Sequence, residues 1–302
     1  MPEQIIEIAE SGRRLSKRRG FIEIYEKESL LGKVSVDDVS SIIISTPGCS
    51  VTTNLMDELS LAGIPLVICG KNYLPSSVTI PLQGHQRQFK IMQQQGQISE
   101  PRRKRAWQKI IQAKITNQME VLERAGQTNH KLKQLVKRVG SGDPENIEAQ
   151  AARIYWQCLF GSEFRRDRNQ VGLNAALNYA YTVLRACVAR GVCAAGLHPS
   201  FSLHHKSARN PFNLVDDLIE PLRPMADYLI YSKVEDFVGE LNPDLKQHLA
   251  GLLSLEVQAE NGIGSLSVAT AKMCQALVAY YFGDLDADFT LPMPSPLAYH
   301  AS

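Results

Sequence analysis

The hydrophobic pattern of the chain changes period once, near residue 86. Before that point apolar residues alternate with polar ones or form short β-branched runs at 5–8, 21–25, 30–36 and 39–45. Such spacing predicts half-buried strands, and the Gly, Lys/Arg and Asp clusters between them predict turns. One helix interrupts the series. Thr53 is placed to cap residues 54–62, Leu55, Leu59 and Leu61 give that helix an apolar side, and Gly63 with Pro65 ends it before a strand at 65–69. A last strand at 77–81 completes a small, mostly β unit with one inserted helix, best arranged as a sandwich.

Beyond residue 86 the period is helical. Trp107, Ile111, Ile115, Met119 and Leu122 form one stripe, and further helices fit 144–160, 170–190, 213–232, 243–258 and 264–282. From Gly283 the prolines at 292, 294 and 296 predict an extended tail. The expected class is α+β, with a β-rich unit at 1–82, an all-α unit at 83–285 and a tail at 286–302.

The chain has 302 residues, 44% of them hydrophobic, enough for one large core or two ordinary ones. No apolar run reaches the roughly 20 residues of a membrane span, and MPEQIIEIAE does not read as a signal peptide, so a cytoplasmic chain without membrane contact is expected. The six cysteines form no C-x-x-C pair, which speaks against a zinc clip or redox motif and for reduced, mostly buried thiols. Net charge is only +2, but residues 1–80 sum to −2, residues 81–147 to +8 and residues 148–302 to −4. A basic middle between acidic ends fits an anionic partner bound along one stretch, or else a solvated helix face. Arg102, Arg103, Lys104, Arg105 and Lys109 crowd a predicted helix start, where positive charge opposes the helix dipole and helix stability alone does not account for it.

Two groups of residues could carry chemistry. In PENIEAQAARIYWQCLFG, Glu148 shares a helix face with Ala152, Tyr155 and Leu159, and a carboxylate there needs a proton, a metal or a basic partner such as Arg153. The segment GLHPSFSLHHKSARNPFNLVDDLIEPLRP places His198, His204 and His205 within eight positions and Asp216, Asp217 and Glu220 within five. On a helix capped by Asn213 those acids repel one another unless a cation intervenes. His205, Glu220 and Glu148 would together suit Mg2+ or Mn2+ with positions left open for water and phosphate oxygens. The alternatives are a solvated acidic helix start with surface histidines, or a zinc site made by the histidines. Serine-hydrolase, P-loop and Rossmann signatures are missing from the sequence, and Cys187 or Cys193 beside a histidine is a weaker nucleophile candidate.

The elements ISEPRRKRAWQKIIQAKI, IEAQAARIYW, LNYAYTVLRACVARG, GLHPSFSLHHKS and NPFNLVDDLIEPLRP, in chain order, resemble the CRISPR spacer-acquisition integrase/endonucleases, the Cas-one (Cas1) family, especially its type II-C branch. The resemblance implies a β-sandwich followed by a helical catalytic domain. It also implies metal ligands at Glu148, His205 and Glu220, with His205 preferred over His204 because Glu220 follows it by 15 positions, and Asp217 as an auxiliary acid. Ser202 stands where many members have Gly, and His198 receives no role. The activity implied is metal-dependent insertion of short DNA fragments (protospacers) into a CRISPR repeat array by attack of a 3′-hydroxyl. The partners implied are DNA and the small Cas-two (Cas2) protein, whose dimer would join homodimers of this chain into a larger complex. Arg102, Arg103, Lys104, Arg105, Lys109 and Arg153 are then candidate DNA contacts. A nuclease hydrolysing branched DNA or RNA at the same site, or a non-catalytic nucleic-acid scaffold, are the competing expectations.

Overall fold

The computed structural model describes residues 4–70, 75–79, 86–128, 130–237, 239–259, 262–283 and 295–296. Eight strands and one helix make the first part: β1 (Gln4–Ile8), β2 (Arg13–Arg18), β3 (Phe21–Glu26), β4 (Ser29–Ser35), β5 (Val39–Ile44), β6 (Cys49–Val51), α1 (Thr53–Leu61), β7 (Leu66–Cys69) and β8 (Pro75–Thr79). They form two four-stranded sheets, ordered β4-β3-β2-β6 and β1-β5-β7-β8. The expected sandwich is therefore present, with two strands that periodicity did not reveal. Strand β2 reads RRLSKR, and only Leu15 is buried in it. Its hairpin with β3 turns through Arg19 and Gly20, both at positive φ (50° and 80°), a backbone that suits a tight antiparallel connection and favours glycine. The helix begins one residue earlier than expected, because the Thr52 hydroxyl, not that of Thr53, accepts the Leu55 N–H. The last strand likewise lies at Pro75–Thr79 instead of 77–81.

The second sheet is the middle of three layers. Along β1, β5 and β7, Ile6, Ile8, Ile42, Ile44 and Leu66 point into the sandwich core with Leu15, Ile22, Leu55 and Leu59. The intervening Ile43 and Val67 join the core of the helical part. The two-residue period of a strand thus serves two cores at once, and all six residues of β5 are buried. Glu7 is a polar residue on the helical side, where its carboxylate receives Lys246 Nζ at 2.9 Å, Tyr179 Oη at 2.8 Å and Ser45 Oγ at 2.6 Å.

The helical part comprises α2 (Gln88–Gln97), α3 (Glu100–Arg124), α4 (His130–Arg138), α5 (Ile147–Phe160), α6 (Leu173–Ala194), α7 (Asn213–Ile219), α8 (Arg223–Tyr231), α9 (Pro243–Ala250) and α10 (Leu266–Phe282). The segment expected as one helix over 213–232 is broken by a tighter 3-10 turn at Glu220–Leu222, where Pro221 removes a backbone donor. The helix expected to reach 258 stops at Ala250. Residues Glu256–Ala259 instead form β9, antiparallel to β10 (Gly262–Ser265) and to the short β11 (Ser295–Pro296), so this part is not all-α. The predicted tail at 286–302 lies outside the described residues apart from β11. Helices α3 and α6 run through the middle of the bundle: α3 packs on α4, α5 and α8, and α6 packs on α7 to α10. Among the described residues no helix is long and apolar enough to cross a membrane.

Candidate active site

Helix α5, the junction after α7 and the loop before α7 bring the predicted acids and histidine to one cavity of about 680 Å3, lined among others by Glu148, Glu220, His205 and, from α3, Lys114. Glu148 enters from the first turn of α5. Asp143 and Asn146 fix that turn, with the Asp143 carboxylate accepting the Ile147 and Glu148 N–H groups at 2.9 and 3.0 Å and Asn146 Oδ1 accepting the Ala149 N–H at 3.3 Å. The apolar face of α5 is Ile147, Ala151, Tyr155 and Leu159, while Glu148, Ala152 and Trp156 line the cavity one residue along. Helical spacing alone places Glu148 on the buried stripe itself. It sits on the edge of that stripe, with 27% of its side chain exposed.

Glu220 lies at the junction of α7 and the 3-10 turn and is buried. Its Oε1 accepts Arg223 Nε at 2.9 Å and its Oε2 accepts Lys114 Nζ at 2.5 Å; the same ammonium donates to Glu148 Oε1 at 2.6 Å. Burial alone would raise the Glu220 carboxyl, but Arg223 and Lys114 outweigh it and hold the group at about 2. Burial would likewise lower the Lys114 ammonium, and Glu220 with Glu148 reverses that.

Asp217 has no exposed side-chain surface and organises the histidine loop. Its Oδ2 accepts the N–H groups of Leu203 and His204 at 2.6 and 3.0 Å, and its Oδ1 accepts those of His205 at 3.1 Å from the backbone and 2.6 Å from ring Nδ1. With Nδ1 committed to the carboxylate, a neutral His205 carries its lone pair on Nε2, the arrangement in which a carboxylate orients a ligand imidazole. That hydrogen bond raises the His205 pKa against the opposing effect of burial. His204 does not line the cavity. It stacks on Trp107 of α3, ring centroids 4.2 Å apart and planes within 5°. His198 anchors the start of the loop, its backbone bonded twice to the Gln95 amide at 2.9 Å.

The expected repulsion among Asp216, Asp217 and Glu220 is relieved by giving each acid its own partner. Asp216 takes Arg185 at 3.0 Å and Asn210 at 2.6 Å, Asp217 takes the histidine loop, and Glu220 takes Lys114 and Arg223. Asn213 does not cap α7; its amide donates to Ser207 O at 2.9 Å. Among the described residues no three His, Cys, Asp or Glu side chains converge closely enough to hold a metal as they stand. The chemistry of the donors fits one nonetheless: two carboxylates from separate helices already share a single cation, and an oriented imidazole lines the same cavity.

Of the basic residues expected at DNA, Arg102 is turned inward. Its guanidinium donates to Gly283 O at 2.7 Å and to Tyr280 O, and lies 4.5 Å from the Tyr280 ring centroid, so it closes the C-terminal end of α10 instead of presenting charge to a phosphate. Lys104, Arg105, Lys109 and Arg153 are exposed and Arg103 is half-buried; Lys104 pairs with Glu100 at 2.9 Å, which also answers the charge at the start of α3. Sequence reasoning passed over a second basic group, Arg166, Arg168, Arg185 and Arg223, on the cavity wall. Deeper in that wall, Asp227 accepts Tyr181 Oη at 2.5 Å and Tyr155 Oη at 3.1 Å. Burial pushes its carboxyl up to about 7, the two hydroxyls opposing. All six cysteines are free thiols, and burial raises Cys187 and Cys193 to about 11, which leaves neither as a thiolate nucleophile at neutral pH. Lys114 had a readable signal: it stands seven residues after Trp107 on the buried face of α3, as anomalous there as Glu148 is on α5.

Comparison with known proteins gives a consistent result. The family described as CRISPR associated protein Cas1 matches residues 6–240. The CRISPR-associated endonuclease Cas1 of Neisseria meningitidis serogroup C (strain 8013) is 39% identical over 276 residues, covering 90% of each chain. A casposase bound to its integration product has the same fold, with a TM-score of 0.80 at 18% identity over 96% of this chain and 94% of the other. A Cas6-RT-Cas1–Cas2 complex matches with a TM-score of 0.73 at 17% identity, over 92% of this chain and 35% of that one.

Proposed function

Since the chain belongs to the Cas1 family of CRISPR-associated proteins, we propose that it is a metal-dependent DNA integrase joining the 3′ ends of short DNA fragments to a repeat array by transesterification. The observation that carries this reading is the convergence of Glu148 and Glu220 on one cation beside an imidazole oriented by Asp217. Glu148, Glu220 and His205 Nε2 would hold Mg2+ or Mn2+, and a cation there supplies Lewis-acid charge beside the reacting phosphate. The reaction forms a bond from the attacking 3′-oxygen to phosphorus and breaks the bond to the repeat-strand oxygen. The proton lost by the attacking hydroxyl ends on the oxygen that leaves.

The protein's own side chains prepare that exchange. Asp217 fixes the ring of His205, and Asp143 fixes the turn that presents Glu148. Arg166, Arg168 and Arg185 line the cavity and supply positive charge where backbone phosphates must approach the acids. Exposed Arg105 and Lys109 extend that charge along α3.

DNA and Cas2 are the partners, a reading supported by the integration product bound to the similar casposase and by the Cas1–Cas2 assembly named among the structural neighbours. Inserting a fragment requires attack at both ends of a repeat, hence two sites and a dimer of this chain. The strand-rich part, which leaves Phe21, Leu30 and Leu31 exposed, is the face for that two-fold contact, with a Cas2 dimer bridging two such pairs.

The test mixes the protein with its Cas2 partner, a short duplex bearing free 3′-hydroxyls and a supercoiled repeat plasmid, with Mg2+ or Mn2+. Covalent joining of fragment to plasmid, lost with a chelator, is the expected product. Hydrolysis of branched DNA with no joining would replace the integrase by the nuclease. Light scattering is expected to find a dimer alone and a larger particle with Cas2.

A further inference from the structure

Lys114 is a charged group of the cavity that the transesterification does not use. Its side chain is 9% exposed, and its ammonium lies 2.6 Å from Glu148 Oε1 and 2.5 Å from Glu220 Oε2. The other oxygen of Glu220 is taken by Arg223 at 2.9 Å. Lys114 and Arg223 together balance the two carboxylates, so the acid cluster is neutral before any metal arrives. A divalent cation reaching the same oxygens would add two positive charges beside an ammonium already in contact with them. Like charges at such separations repel strongly in a buried setting, and the oxygens facing the ammonium cannot serve both cations well.

The two cations differ in their freedom to move. Arg223 is fixed by its contact with Glu220 and by the Tyr181 ring, whose centroid is 4.4 Å from its guanidinium carbon. Lys114 reaches the acids on a flexible four-carbon stem and borders an open cavity of about 680 Å3. We propose that Lys114 is the resident counter-cation of the acid cluster, holding Glu148 and Glu220 together in the metal-free protein, and that the divalent metal loads by displacing it. The lysine is then a positioning residue that also sets the metal concentration at which the site fills. This rests on the assignment of Glu148 and Glu220 as metal ligands.

The experiment is calorimetric titration of Mn2+ into full-length protein without DNA, so that binding is read apart from activity. Wild type is compared with Lys114→Met, which keeps the apolar stem and removes the charge, and with Glu220→Ala. Lys114→Met is expected to bind Mn2+ roughly tenfold more tightly, the scale on which neighbours of a ligand tune metal affinity. Its metal-free melting temperature should fall and its rise on adding Mn2+ should exceed that of wild type. Unchanged or weaker Mn2+ binding by Lys114→Met, with normal binding by wild type and none by Glu220→Ala, overturns the displacement and leaves the metal site intact. No binding by wild type overturns the metal site itself. Should Lys114→Met fail to fold, reductive methylation of wild type with and without saturating Mg2+, read by mass spectrometry, gives the same answer. Faster labelling of Lys114 with Mg2+ supports displacement, and unchanged or slower labelling refutes it.

Discussion

In the strand-rich part, Ile6, Leu15, Ile22, Ile42, Leu55 and Leu66 fill an apolar core, and among the described residues there Glu23, at 9% exposure, is the one buried carboxylate. The helical part buries Lys114, Asp217, Glu220 and Asp227 in the same interior as Trp107, Ile111 and Leu218. Apolar burial stabilises both regions, but the second sets part of that stabilisation against the cost of holding several buried charges in place. Burial does not by itself decide what those charges become. Glu220 and Asp227 are both buried and seven residues apart; Arg223 and Lys114 keep the first ionised, while in the second burial outweighs the two tyrosine hydroxyls and pushes the carboxyl towards its neutral form.

The sharpest break between the regions is expected in function. Glu148→Ala, His205→Ala and Glu220→Ala should each abolish fragment joining, and double variants should be little worse than single ones, since ligands of one site act as a unit. A joining assay in which His205→Ala stays active and His204→Ala does not would contradict the placement of His205 in the cavity and His204 on Trp107. Leu15→Ala in the sandwich should do the opposite, costing about 2–5 kcal/mol of stability by denaturant unfolding while the folded protein binds Mn2+ normally.

A smaller contrast lies in pH. The folded carboxyl of Asp227 is raised to about 7, above its unfolded value near 4, so the folded state holds the extra proton between the two. Its contribution therefore falls as pH rises from about 4 to about 7. Glu220, depressed to about 2, contributes above about 4 and loses that contribution as pH falls towards 2. Urea unfolding at about pH 5 and about pH 8 should show Asp227→Asn losing less stability with rising pH than wild type. Equal slopes would mean that Asp227 is ionised in the fold.

The smallest effect concerns DNA outside the cavity. Neutralising Arg105 and Lys109 should reduce the slope of log affinity against log salt by about 0.9 per lost duplex phosphate contact. Arg102→Ala should instead lower the melting temperature, because it unbinds the end of α10.

Much of this was legible in the sequence because the signals were local. Alternation revealed β1, β3 and β5, a helix face singled out Glu148, and the spacing of acids and histidines singled out residues 196–224, while it was the resemblance to the Cas1 family that joined Glu148, His205 and Glu220 as one set. Strand β2 was hidden because its neighbours supply partners for its charges: Arg13 pairs with Glu26 and Glu10, and Lys17 with Glu58. Lys114 stands out as a lysine on the apolar stripe of α3, but its role was not legible, since its two partners lie 34 and 106 residues away and no local pattern joins them. Arg102 misled because a basic run looks alike whether it faces water or a helix end 178 residues away.

The most direct test of the account is an anomalous-scattering experiment at the manganese edge on crystals grown with Mn2+. The account predicts a Mn2+ peak bounded by Glu148, His205 Nε2 and Glu220, with the Lys114 ammonium withdrawn from both carboxylates. A filled lattice of Mn2+ peaks elsewhere, with Lys114 still bridging Glu148 and Glu220 and no peak between them, would contradict it.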